Sequence, residues 1–215
     1  MKKIVGIIGR PDKTINHNDV FIVNKHIISM LNNYNIIPLL ITPPGKYNYY
    51  GYNIHNGPEI TKSELDNIFY LIDKCDGILL QGGDEFYQFD IDIVKYLHQK
   101  DIPTLGICLG MQTIGYTFNG ELINVSNHKG INHEITIKKD SLLYEIIGKE
   151  KITVNSRHKE SLNKTDLFKG AYSLDNVIEE IEDHSKKCFI GLEWHPEDIL
   201  NNDQKKIIEY FINSL

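Results

Sequence analysis

Gly106-Ile107-Cys108-Leu109-Gly110 sets a cysteine between two glycines at the point where an apolar run, PTLGI at 103–107, gives way to a helical pattern. The G-x-nucleophile-x-G form is that of an elbow between a buried strand and a helix. A sharp turn of this kind holds the nucleophile in a strained conformation, and flanking glycines let neighbouring segments approach closely. It also sets the thiol at the positive end of the following helix, which favours the thiolate, the species that attacks a carbonyl carbon. Taken alone, the pentapeptide also fits a buried core cysteine in a βα turn. Cys75 and Cys188 lie beside apolar runs without an elbow and read as core.

At 194–197 the chain reads Trp-His-Pro-Glu, directly after the apolar run 188–192, so His195 belongs at the carboxyl end of a strand. Ligands of open α/β sheets bind beyond such ends, and a cysteine nucleophile needs a histidine there to manage its proton. Glu197, two residues on and held by a rigid proline, is placed to orient the imidazole and stabilise its charged form. The third piece, Leu79-Leu80-Gln81-Gly82-Gly83-Asp84, is a strand end with two glycines whose N–H groups can face developing negative charge. With the N–H of Leu109, that of Gly83 would complete an oxyanion hole. Singly, WHPE also fits a surface turn with a satisfied histidine, and Gly-Gly a plain loop.

The elements that must bring these pieces together are legible as hydrophobic periodicity. Residues 3–8 (KIVGII), 36–41, 77–80 (GILL) and 103–107 read as buried strands. Val20, Val23, Ile27, Met30, Leu31 and Tyr34 recur at spacings of three and four, which predicts a helix over 20–34. Thr61-Lys-Ser-Glu64 has the capping-box pattern and opens a helix to about 74; 91–100 and 109–118 are two more. Residues 9–19 read as a polar loop, and 45–60, rich in Gly, Asn and Tyr, as a loop that covers a site. Four alternations of strand and helix are the signature of an α/β protein, a parallel sheet with helices on both faces. The later part is more strand-like, at 133–139, 151–155, 176–182 and 188–194, before a closing helix over 203–215. With no repeat, low-complexity tract or linker, residues 1–215 read as one domain.

A chain of 215 residues suffices for one well-buried core. The net charge of −6 gives no general attraction to nucleic acid or anionic membranes. Nor does any stretch approach the ~20 apolar residues of a membrane helix. Pro11 and Asp12 interrupt the N-terminal apolar run too soon for a signal peptide. The expectation is a cytoplasmic protein without nucleic-acid or membrane partners. Three cysteines, an odd number with no CxxC pair, argue against a disulfide framework and a zinc site. No metal or organic cofactor is expected.

In the order Gly-Gly turn, GxCxG elbow, WHPE, the chain resembles the class I glutamine amidotransferases, from KIVGII through WHPED, and GICLGMQ is specific to that superfamily. The resemblance implies a flavodoxin-like α/β fold with a mostly parallel sheet and a Cys108, His195, Glu197 triad. It further implies Gly83 and Leu109 as oxyanion donors, and Gln112 as a residue that helps hold the glutamyl group. Val154-Asn-Ser-Arg-His158 resembles the VNSxH stretch of the free-standing γ-glutamyl hydrolase (peptidase C26-like) branch, as does NHKGINH at 127–133. That branch implies hydrolysis of a small-molecule γ-glutamyl amide through a glutamyl thioester, with no synthase partner required. It also implies substrate contacts at Ser156, Arg157, His158 and His133. Lys159 and Glu160 stand where the branch often has a second His and a Gln, so the leaving-group side departs from its pattern. Arg10, after the first strand, is one more candidate contact. Arg10, Lys46, Lys129, Arg157 and Lys159 lie in or near the expected site loops, a set suited to a phosphorylated leaving group as well as to plain solvated charge. The compact domain is also similar to small hydrolases of bacterial capsular phosphoramidate synthesis, which implies a nucleotide-linked substrate. Two other readings keep the same residues: a glutaminase component that delivers ammonia to a separate synthase, and an inactive binding or regulatory module.

Overall fold

Four apolar runs of the N-terminal half become parallel neighbours in one sheet, in a computed structural model that describes residues 2–215. The first strand, β1 (Ile4–Ile8), leads into a hairpin of β2 (Arg10–Lys13) and β3 (Asp19–Ile22), then α1 (Lys25–Asn33) and β4 (Ile37–Ile41). Two crossovers follow, α2 (Lys62–Ile72) to β5 (Gly77–Leu80) and α3 (Gln88–Gln99) to β6 (Thr104–Ile107), and α4 (Leu109–Thr117) leaves β6 after a single residue. Beyond it lie β7 (Glu121–Asn124), β8 (Lys129–Ile137), α5 (Leu142–Ile147), β9 (Lys151–Arg157) and β10 (Glu160–Lys164). The chain closes with β11 (Phe168–Ser173), β12 (Ile178–Glu182), β13 (Phe189–Leu192) and α6 (Asn202–Asn213).

The nine-stranded sheet runs β4-β1-β5-β6-β13-β12-β11-β8-β9. From β4 to β13 every neighbour is parallel, and from β13 to β9 every neighbour is antiparallel. This is the flavodoxin-like α/β architecture, with the antiparallel strands as an extension of its parallel core. Side chains alternate across the sheet as the strand period requires. Val5, Ile7 and Leu79 pack with Ile27, Met30 and Leu31 of α1 and with Ile207, Ile208 and Phe211 of α6. Ile8, Ile78 and Leu80 face the other way, onto Ile68 and Ile72 of α2, Phe89 and Ile93 of α3, and Met111 and Ile114 of α4.

Several boundaries differ from the sequence reading. The expected helix over 20–34 starts only at Lys25, because Asp19–Ile22 pairs with Arg10–Lys13 and Asn24 caps the helix by accepting from the His26 N–H at 2.9 Å. Residues 9–19 therefore carry a strand rather than only a loop. The helix expected from 91 begins at Gln88, where the Asp90 carboxylate accepts from the Tyr87 N–H at 2.9 Å. The capping box at Thr61 and Glu64 forms as read, with the Thr61 N–H 2.8 Å from Glu64 Oε2. In the 45–60 segment, Tyr49 is buried against the rings of Tyr87 and Phe89, and the Tyr87 hydroxyl donates to the Tyr49 carbonyl at 3.0 Å. β7, β10, β11 and α5 had no clear signal in the periodicity.

Candidate active site

β5, β6 and β13 are adjacent, so the Gly-Gly turn, Cys108 and the WHPE segment leave the sheet side by side at its carboxyl edge. Cys108 follows β6 with its N–H on the Leu192 carbonyl at 2.7 Å, and its backbone sits at φ 51°, ψ −108°. Positive φ in a residue with a side chain is strained, and here the surroundings impose it. A Cβ on Gly110 would lie 2.1 Å from the Leu80 carbonyl oxygen, and one on Gly106 2.8 Å from the Gly110 carbonyl carbon. The elbow is thus pressed against β5 more tightly than any side chain permits.

The His195 imidazole holds Glu197 through Nδ1 to Oε1 at 2.8 Å, both residues being buried. Asn24 Nδ2 donates to the same Glu197 oxygen at 3.1 Å, and the His195 N–H donates to Asn155 Oδ1 at 3.2 Å. The ring and the cysteine meet over Gly82: a Cβ there would be 3.0 Å from His195 Cε1 and 3.7 Å from Cys108 Cβ. Among the described residues, neither the Gly83 nor the Leu109 N–H donates to a backbone carbonyl.

Burial pushes the Cys108 thiol well above its ordinary range, and the carboxyls of Glu193 and Glu197 add to the rise. A hydrogen bond from the Leu109 N–H opposes the shift without reversing it. The helix end alone favours a thiolate; with burial and two nearby carboxyls included, the resting group is the thiol. Glu193 is itself fully buried, and desolvation carries its carboxyl well above the usual carboxylate range. It accepts from Gln112 Nε2 at 2.6 Å and lies 3.2 Å from His158 Nδ1. Burial lowers His158 to about 4, so its ring is neutral near pH 7.

Gly83, Cys108, Gln112, Arg157 and His158 converge on one cleft of about 470 Å³, together with Asn124, Lys129, Lys159, Asp84, Glu85 and Glu160. The Leu109 side chain lines a neighbouring cavity of about 410 Å³ with Phe86 and Tyr116. Three other sequence candidates are placed differently. Ser156 is fully buried and His133 Nε2 lies 2.7 Å from its Oγ, so the two face each other beneath the cleft wall. Arg10 grips Asp90 with both terminal nitrogens, at 2.7 and 3.0 Å, and donates to the Glu85 carbonyl at 2.8 Å. Its stem underlies Gly83, whose Cβ position is 3.2 Å from Arg10 Cγ, so Arg10 props the turn from below. Arg157 stands at the rim, paired with Asp198 and 3.9 Å from Glu197 Oε1.

Asn24, Asp90, Asn155 and Glu193 escaped the sequence reading. Each acts on a residue far along the chain; Asn155 lies within the VNSRH stretch, whose role there was read only from Ser156 onward, and Glu193, directly before Trp194-His195, also had a position that could have drawn notice, whereas Asn24 and Asp90 lie in no motif.

A profile described as "Glutamine amidotransferase class-I" matches residues 44–215. Anthranilate synthase component 2 of Cyanophora paradoxa is 30% identical over 169 residues, covering 75% of this chain and 85% of that protein. A glutamine-hydrolyzing GMP synthase component of Archaeoglobus fulgidus is 32% identical over 159 residues, covering 70% and 86%. Among solved structures, the glutaminase domain of Trypanosoma brucei CTPS with bound acivicin superposes with a TM-score of 0.69 at 14% identity, covering 99% of this chain and 93% of that one. A glutamine amidotransferase from Thermotoga maritima gives a TM-score of 0.62 at 15% identity, covering 100% and 84%.

Proposed function

This chain belongs to the class I glutamine amidotransferase family, and from that premise we propose that it is a cysteine-dependent hydrolase of a small γ-glutamyl amide, with Cys108, His195 and Glu197 as its triad. The observation that carries the proposal is the meeting of the Cys108 carbon and the Glu197-held imidazole over Gly82. His195 takes the thiol proton as sulfur adds to the γ-carbonyl carbon, which answers the buried, protonated resting thiol. The oxyanion is met by the N–H groups of Gly83 and Leu109, each worth about 3 kcal/mol of barrier in comparable sites. The C–N bond then breaks as His195 returns the proton to the leaving nitrogen. Water, deprotonated by His195, cleaves the thioester to glutamate and free thiol. Gln112, on the cleft floor with Glu193, is assigned to the glutamyl group.

The cleft wall carries charges of both signs, and they divide the substrate. Glu85 is raised by burial, with Glu160 and Asp84 adding repulsion, an acidic set that a glutamyl α-ammonium would relieve. Lys129, Arg157 and Lys159 face the same space and suit phosphate oxygens on the other half. A phosphate-bearing leaving group is therefore our reading of the cleft, and γ-glutamyl-CDP-amidate, released as cytidine diphosphoramidate in capsule biosynthesis without a synthase partner, is the substrate proposed on the resemblance alone. A second reading, a glutaminase that supplies ammonia to a synthase, is favoured by the relatives named as synthase components. No helix among the described residues is long and apolar enough to cross a membrane, in keeping with the proposed cytoplasmic location.

The deciding experiment measures glutamate release by the isolated chain from glutamine, simple γ-glutamyl amides and nucleotide-linked amidates. Turnover of the amidate at least tenfold above glutamine is expected. Glutaminase activity that appears only with an added synthase would overturn the free-standing reading. The absence of any Cys108 adduct after treatment with a glutamine-like electrophile would overturn the chemistry and favour an inactive module.

A further inference from the structure

Behind the cleft wall, where β8 and β12 flank β11, three side chains separated in sequence converge on one point. Glu179 of β12 is fully buried, and its Oε1 lies 3.4 Å from His128 Nδ1 and 3.4 Å from His133 Nε2. Neither Glu179 oxygen nor His128 Nδ1 has a hydrogen-bond partner, although all three atoms are buried. A buried carboxylate without donors is costly, and the two histidine nitrogens beside it stand just beyond hydrogen-bonding range. A separation of 3.4 Å is instead close to the edge of a tetrahedron of N and O ligands around a cation with bonds of about 2.05 Å.

The surroundings match what a bound metal requires. His128 turns its other nitrogen, Nε2, toward the Asp175 carboxylate at 3.1 Å, the outer carboxylate–histidine arrangement that fixes a ligand's tautomer and raises its basicity. Without the ion, His133 Nε2 is hydrogen-bonded to Ser156 Oγ at 2.7 Å, and metal binding exchanges that bond for the cation. A pocket of about 130 Å³ lined by His128, His133 and Asp175 opens the cluster to solvent and supplies an entry path.

We propose that His128, His133 and Glu179 bind a divalent first-row cation, zinc by preference, in a site separate from the reacting cysteine. Two imidazoles and one carboxylate in a tetrahedral arrangement are a zinc donor set, and the histidines must be neutral to serve in it. The ion ties the turn before β8 to β12 and so braces the wall behind His158, whose ring centroid is 4.8 Å from that of His128. It takes no part in the thioester chemistry. The ligands are invisible as a motif because His133 follows His128 by five residues while Glu179 lies 46 further on.

The test uses the tag-free full chain, equilibrated with a small excess of zinc or cobalt(II), desalted, and analysed for metal content and for the visible spectrum of the cobalt form. Retention of one metal per chain, a tetrahedral cobalt spectrum, and loss of both in Glu179→Gln and His128→Asn are expected. Asp175→Asn alters a side chain that is 57% exposed and so spares the fold; it should weaken metal affinity 10- to 100-fold. No retained metal in the native chain, or retention unchanged in both ligand variants, overturns the site and leaves the cluster an ion pair of protonated histidine and glutamate. Should the ligand variants fail to fold, unchanged affinity in Asp175→Asn overturns it.

Discussion

Two walls meet at Cys108, and they hold their groups in different ways. One is made of the carboxyl ends of β5, β6 and β13, where backbone turns present N–H groups and a two-residue span joins His195 to Glu197. The other belongs to the antiparallel extension, where Ser156, His158 and Glu179 are buried side chains linked through His133 and His128. The first wall sets positions through backbone geometry, which hardly moves when one side chain is changed. The second sets charge and shape through a network, in which each member depends on its neighbours. Glu193 joins the two: it continues β13 yet contacts Gln112 and His158 across the cleft floor.

If the first wall carries the chemistry, its largest effect comes from Cys108→Ala. Turnover should fall by a factor on the order of 10⁶, as in other nucleophile triads, while the thermal transition stays nearly unchanged. Residual activity near the native level would assign the chemistry elsewhere. Next comes Glu197→Gln, which keeps the shape but leaves His195 Nδ1 facing an amide; kcat should drop roughly 10⁴-fold with little change in KM. A change confined to KM would make Glu197 a substrate contact.

Arg10→Met separates scaffold from contact. It strands the buried Asp90 carboxylate, so stability should fall by about 3–5 kcal/mol in denaturant titration. A stable variant with a raised KM would instead make Arg10 a substrate contact. Gln112→Leu tests the junction between the walls: it removes a donor to Glu193 and should raise KM about tenfold, with a smaller change in kcat.

The smallest effect lies in pH. Burial penalises the anion, so the folded Cys108 thiol titrates above a free cysteine, and its thiolate fraction is lower at every pH beneath that point. Cys75 is pushed up to about 11 and Cys188 to about 12 by the same cause. Iodoacetamide should therefore label all three slowly at pH 8 and faster as pH rises. A γ-glutamyl electrophile, which sits where His195 can take the proton, should label Cys108 fast at pH 8. Rapid iodoacetamide labelling of Cys108 at pH 7 would point to a resting thiolate.

The parts legible in advance were those with short-range causes. GILL, PTLGI and the capping box at Thr61 formed as read, because apolar runs and local hydrogen bonds act within a few residues. Residues 20–24 misled because Val20 and Val23 fit the helical spacing, yet pairing of Asp19–Ile22 with Arg10–Lys13 claimed the segment first. Ser156, Arg157 and His158 were adjacent in sequence but not equivalent in space. Strand alternation turns Ser156 inward to His133 and Arg157 outward to the rim.

By itself the sequence determined the elbow, the pairing of His195 with Glu197, and the parallel core that aligns them, since glycine sterics, a two-residue span and hydrophobic periodicity are local facts. Only the tertiary structure decided the rest. It committed Arg10 to Asp90, kept the Cys108 thiol protonated through burial beside Glu193, and gathered His128, His133 and Glu179. Those outcomes depend on desolvation and on contacts between strands far apart in the chain, and neither exists until the sheet is assembled.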